Sequence, residues 1–159
     1  MSALGHVEAG TRLPPFSKVF GDTHTSLLYR RTLLLAQGLD PEYENYAAGP
    51  NVHTDDAAAR AAGLPKRIVS GFHVYSLISQ ALGLFFGMGW LAGGKLSLKF
   101  VRPLLVNERI TCGGVVKRIV PPGKAGERLA ELEVWCQNPS GDIITAGTAT
   151  VRVFDSEKS

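Results

Sequence analysis

Hydrophobic and polar positions change rhythm along this chain, and the changes mark its elements. From Phe72 to Phe86 the polar residues His73, Ser76, Ser79, Gln80 and Gly83 recur near helical spacing, and the rest is apolar. A helix with so narrow a polar stripe is expected to be enclosed on most sides. From Lys95 the period drops to two: Leu96, Leu98 and Phe100 alternate with Lys95, Ser97 and Lys99, which predicts a strand ending near Val101. Arg109 to Val120, Arg128 to Gln137 and Ile143 to Phe154 predict three more strands, the last rich in Thr and Val. Pro121-Pro122-Gly123 and Asn138-Pro139-Ser140-Gly141 supply the turns. Hairpin-length loops join the last three strands, which are expected to form an antiparallel meander, and with the strand from Lys95 the pattern after the helix reads as a four-stranded meander.

The first half is less regular. Met1 to Pro15 is a loose lead-in, and Phe16 to Phe20 a short strand. Ser26 to Gln37 carries Leu27, Leu28, Leu33, Leu34 and Leu35 among good helix formers, with Thr25 or Ser26 as cap and Gly38 as stop. Asp40 to Asn51 is a loop punctuated by Pro41, Gly49 and Pro50, with Tyr43 and Tyr46 unusual for a purely solvated segment. Thr54 to Ala62 predicts a short helix, with Asp55 and Asp56 in the first turn, where they suit the helix dipole. The whole predicts one α+β domain over residues 1–159, an antiparallel sheet wrapped around one long central helix, with 155–159 as a tail. Such a sheet leaves edges and a face uncovered, and dimerisation is the usual remedy.

Composition narrows the functional classes. Of 159 residues, 45 % are apolar and 19 % charged, enough for a real core. The net charge of +3 comes from scattered basic residues, and Arg30-Arg31 and Lys66-Arg67 are the only adjacent pairs. That speaks against nucleic acid, and leaves a few positive charges for an anionic ligand. Cys112 and Cys136 make neither a disulfide framework nor a zinc motif and are expected as buried core thiols. No ligand spacing points to a metal, and no cofactor is implied. Met1 to Pro15 holds no apolar core of signal-peptide length, and Phe72 to Trp90 is too interrupted to span a bilayer. A cytoplasmic protein without membrane contact is expected.

The candidate chemistry lies in Gly49-Pro50-Asn51-Val52-His53-Thr54-Asp55 and in Ile68-Val69-Ser70-Gly71, just before the long helix. A loop histidine, a nearby carboxylate and a glycine at a helix start are the parts needed to polarise a carbonyl and move a proton. His73 is expected to be structural, and His6 and His24 join no constellation. Ser70 lacks the Gly-x-Ser-x-Gly surroundings of a nucleophile and is expected to cap the helix.

These stretches, with Leu96-Ser97-Leu98-Lys99-Phe100-Val101-Arg102-Pro103, resemble the MaoC-like or (R)-specific enoyl-CoA hydratase group, which has the hot-dog fold. The resemblance covers about Phe16 to Phe154. It implies water addition to, or loss from, an enoyl or 3-hydroxyacyl thioester. By the resemblance His53 is the acid/base, and the Gly71 N–H stabilises the enolate oxygen. Asp55 matches a second, structural Asp. The family's loop, Asp–x–Asn–Pro–aliphatic–His, is altered here: ungapped spacing puts Ala48 at the catalytic Asp, Pro50-Asn51 reverses the Asn–Pro pair, and Ser70 replaces a His before the glycine. General acid–base help is worth roughly 10²–10⁴-fold per group, so another residue must substitute, and Glu44 or Asn51 is expected to orient the water. Tyr46, Ser70 and Phe72 are expected at the substrate, Tyr46 either lining an acyl pocket or packing its loop. Lys99 and Arg102 are candidates for a basic rim meeting coenzyme A or an acyl-carrier arm. Two other functions remain open: a non-catalytic acyl-thioester-binding subunit of a heteromer, and a hot-dog thioesterase or specialised lyase. A homodimer or higher homo-oligomer is expected, with a heteromer as the alternative.

Overall fold

The computed structural model describes residues 7–21, 34–38, 50–121 and 128–154. Eight elements follow in order: β1 (Phe16–Val19), α1 (Asp56–Ala61), α2 (Gly71–Phe86), α3 (Met88–Leu91), β2 (Lys95–Phe100), β3 (Arg109–Val120), β4 (Arg128–Gln137) and β5 (Ile143–Val153). The helix expected at Ser26 to Gln37 lies mostly outside the described residues. Its end, 34–36, is helical, and Gly38 follows at φ 69°.

The five strands form one sheet in the order β1-β3-β4-β5-β2, every neighbouring pair antiparallel. The last three strands, β3 to β5, form the antiparallel meander that their hairpin-length loops suggested, but β2 does not extend it to four strands. The segment between β2 and β3 is no hairpin: Val101 and Arg102 both donate to the Ile144 carbonyl, and Val69 and Val106 bond across the following turns. This binds β2 to the free edge of β5 and sends the chain to the opposite side of the sheet. Small residues permit the pairing, since a Cβ at Gly147 would collide with the Ser97 carbonyl. A bulge between Val116 and Arg118 interrupts the β3–β4 register, and bulges of this kind increase local twist and help a sheet wrap.

The sheet wraps α2, whose Val74, Leu77, Ile78, Leu82 and Phe86 are buried with Ile110, Val116, Leu132, Val134 and Val151 of the strands. Burying each such side chain is worth about 1.5–3 kcal/mol. Enclosure is one-sided, however. Ser76, Ser79, Gln80 and Gly83 face outward together with Phe72, which is 60 % exposed, and Leu84, at 69 %. The helix is thus less enclosed than its composition suggested. His73 departs from the outer stripe: it is buried, with its ring edge-on to Phe20 at 5.4 Å. Ser79 accepts from the indole N–H of Trp90 at 3.0 Å, which folds α3 back along α2.

Cys112 and Cys136 face each other across β3 and β4, both buried and free. The hydrogen bond with Cys112, and then burial, push the Cys136 thiol well above its ordinary range, so it is inert as a nucleophile. No helix among the described residues is long and apolar enough to cross a membrane.

Candidate functional site

The His53 loop is held by its own short-range chemistry. The Asn51 carbonyl accepts from the Thr54 and Asp55 N–H groups, each at 3.0 Å, and Asn51 Oδ1 accepts from the His53 N–H at 2.9 Å. Thr54 Oγ1 closes the turn by accepting from the Asn51 N–H at 3.2 Å. These are local side-chain-to-backbone bonds of the kind Asn and Thr form in turns. Asp55 caps α1, its Oδ1 accepting from Ala58 N–H at 2.7 Å. Asp56 Oδ1 accepts from the Arg67 backbone N–H at 2.9 Å and from Arg67 Nε at 3.3 Å. That backbone bond, above all, holds the Asp56 carboxyl below its usual value, with the Arg67 charge adding to it. Both acids therefore serve the start of α1 and its tie to the segment before α2.

That segment orients the histidine. Ile68 N–H donates to the Val52 carbonyl at 3.0 Å, and His53 Nδ1 lies 3.0 Å from the Ile68 carbonyl. A carbonyl oxygen only accepts, so Nδ1 carries the hydrogen. In neutral His53, Nε2 is then the acceptor nitrogen. Two residues further on, Ser70 caps α2, its Oγ accepting from the Phe72 N–H at 3.3 Å. Gly71 is the first helical residue, and its N–H has no acceptor within the helix.

Gly71 has no left-handed backbone, so no tight turn requires it. What a side chain there would press on is Phe100. A Cβ there would lie 3.0 Å from Phe100 Cζ and 3.2 and 3.3 Å from its two Cε atoms. His53, Gly71 and Phe100 line one pocket of about 390 Å³, whose other walls include Val74, Leu104, Ile144 and Arg102. The arrangement offers a nitrogen acceptor and a helix N-terminus to one small, largely apolar space. Among the described residues no carboxylate lines it. Arg102 is paired with Asp142 at 3.0 Å on the β4–β5 turn, and Lys99 is exposed.

The expected site residues divide accordingly. His53 and Gly71 come together in one pocket. Asn51 and Ser70 stand behind them, as loop brace and helix cap. Phe72 lines a separate groove of about 490 Å³ on the outer face of α2, with Tyr75, Leu84 and Trp90. Glu44, Tyr46 and Ala48 lie outside the described residues. Sequence reasoning missed the roles of the Ile68 carbonyl and of Phe100. A main-chain acceptor leaves no mark in a sequence. The signal for Phe100 was a glycine at a helix start that no turn demanded. No group of three or more His, Cys, Asp or Glu among the described residues is placed to hold a metal.

No family model and no curated protein matches the sequence. Solved structures do match. An (R)-hydratase from A. caviae involved in PHA biosynthesis aligns at 22 % identity over 94 % of this chain and 98 % of its own, with a TM-score of 0.65. A MaoC-like dehydratase from Rhodospirillum rubrum aligns at 18 % over 96 % and 97 %, with a TM-score of 0.67. The chain has the hot-dog fold. A third hot-dog structure, a HadBC 3R-hydroxyacyl-ACP dehydratase complex from Mycobacterium tuberculosis, aligns at 15 % over 94 % and 100 %, with a TM-score of 0.64. Identities this low carry the fold alone. The hot-dog sheet and its central helix are as the Leu96 to Pro103 resemblance implied.

Proposed function

We propose that this hot-dog chain is a hydro-lyase that adds water to an enoyl thioester, or removes it from a 3-hydroxyacyl thioester. The observation that carries the reading is the shared pocket: His53, its Nδ1–H fixed on the Ile68 carbonyl, opens on the same space as the N-terminus of α2 at Gly71. The substrate carbonyl accepts from the Gly71 N–H. His53 Nε2 takes a proton from water as its oxygen bonds the β-carbon, and the displaced electron pair moves onto the thioester oxygen. The imidazolium then returns the proton to the α-carbon, so that one water is added in all. Donors aimed at developing oxyanion charge are typically worth 10²–10³-fold. Asn51 is a positioning residue in this scheme, because its oxygen holds the His53 N–H. We assign water orientation to Glu44, the acid of the preceding loop nearest in sequence to the altered motif. The neighbours named as hydratases and dehydratases support the reading.

A second reading has its own support. No carboxylate lines the pocket among the described residues, and a HadBC complex stands among the structural neighbours. A copy that binds acyl thioesters while a partner subunit supplies the acid fits both facts. In either case we propose that the protein acts in the cytoplasm as an oligomer, with the exposed apolar residues of α2 facing a neighbour.

The test is a spectrophotometric hydration assay on a panel of trans-2-enoyl-CoA substrates, with a free-thiol reagent in parallel and His53→Ala as control. Loss of the enoyl signal without thiol release, abolished in the variant, is the expected result. Thiol release marks a thioesterase, and silence in both channels marks the binding subunit.

A further inference from the structure

Gly71 has a backbone any residue can adopt, yet what a larger residue would meet there is the edge of the Phe100 ring. The ring atoms stand 3.0–3.3 Å from where a Gly71 Cβ would lie, on the residue whose nitrogen carries the donor N–H. A carbonyl oxygen accepting from that N–H sits about 2.9 Å from the nitrogen. The carbon attached to such a carbonyl enters the same pocket, one wall of which is the ring.

Phe100 does not hang on a loose strand end. It pairs with Thr145 across β2 and β5, and Thr145 Oγ1 donates to the Lys99 carbonyl at 2.8 Å. On its other side, Val101 and Arg102 donate to Ile144 at 2.8 and 3.1 Å. The ring is 51 % exposed and lines the His53 pocket. An aromatic side chain on a fixed backbone, half in solvent and touching the carbonyl-binding corner, adds less to the core than to the shape of the site.

We propose that Phe100 is a specificity-determining residue: its ring closes the side of the pocket beside the Gly71 N–H and excludes acyl groups branched at the carbon next to the thioester carbonyl. The inference rests on the acyl-thioester reading of the site. It does not require the chain to be catalytic on its own, because exclusion acts on binding.

Butanoyl-CoA and 2-methylbutanoyl-CoA differ by one methyl group at that carbon, and neither is an enoyl substrate. Titration calorimetry on the full chain should show the linear thioester binding at least about tenfold more tightly, since one methyl-sized misfit is worth roughly 10–200-fold. Phe100→Ala should bring the two affinities within about threefold. Phe100→Leu, which keeps apolar bulk but shortens the reach, should fall between, and a thermal melt of each variant confirms that it is folded. Equal binding of the two thioesters by the unaltered protein overturns the proposal, as does a preference unchanged in Phe100→Ala. Failure of the unaltered protein to bind either thioester overturns the acyl-thioester reading itself, which is a different result from binding without discrimination.

Discussion

The β3–β4–β5 wall and the segment from Asn51 to Gly71 are held by opposite means. The wall is three long strands paired in register over most of their length, backed by side chains from distant parts of the sequence such as Leu77 and Leu82. The segment is a set of contacts made mostly by near neighbours: Asn51 with His53, Asp55 with Ala58, Ser70 with Phe72. Loss of one wall contact is spread over many others. Loss of one segment contact moves a reacting group. Stability and chemistry should therefore separate under mutation.

The largest effect is expected at His53. His53→Ala should lower hydration activity by about 10²–10⁴-fold, the usual worth of an acid/base group. Its ring bond to the Ile68 carbonyl is lost from the fold, a loss worth about 0.5–1.5 kcal/mol of unfolding free energy. A urea titration beside the kinetic assay checks both halves. A large drop in stability would mean that the segment supports the fold as much as the wall does.

The reverse pattern is expected in the wall. Leu132 is 2 % exposed and pairs with Val116 on one side and Ala149 on the other. Leu132→Ala should cost about 2–5 kcal/mol through lost transfer energy and the cavity left behind. Because the pocket does not include Leu132, the folded fraction should keep its affinity for a linear acyl-CoA. A matching fall in affinity would show the two regions to be coupled. Asp55 gives a smaller version of the same contrast. Asp55→Ala removes the cap of α1 and should cost about 1 kcal/mol, while Asp55→Asn, which retains a capping oxygen, should cost only a few tenths.

The two regions also differ in how far the sequence disclosed them. The wall was legible because period-two alternation and Pro/Gly turns are local signals, and β3 and β4 have the bounds that the sequence predicts. The position of β2 was not, because its pairing with β5 is fixed by distant backbone bonds around Ile144. In the segment, residue types pointed to His53 and Gly71, which line one pocket, and to the capping role of Ser70. The orientation of the His53 ring was hidden, since it rests on a main-chain carbonyl fifteen residues away in sequence. The burial of His73 was hidden too: its place near the polar stripe is a matter of helix angle, and Phe20, from before the first helix, decides it.

The smallest effect is a pH dependence confined to the segment. Asp56 ties α1 to the residue before Ile68 through the Arg67 backbone N–H, and this bond is the main reason its carboxyl is held below the ordinary 3.8. A carboxyl whose folded value is depressed stabilises the fold above its unfolded value, and loses that contribution as pH falls through the folded one. Asp56→Asn should therefore be less stable than the unaltered protein at pH 7, with the gap closing below about pH 4. Glu131 is lowered in the same direction by its hydrogen bonds to Arg118, but it sits on β4, where the ladder holds both strands without it. Urea midpoints for Asp56→Asn and Glu131→Gln between pH 7 and 3 separate the cases. Measured against the intrinsic exchange rate at each pH, the Ile68 amide should lose protection in acid and in Asp56→Asn, while the Leu132 amide stays protected. Equal loss of protection at both amides would mean that the segment opens only when the wall does, and the division between chemistry and stability would then fail at its weakest link.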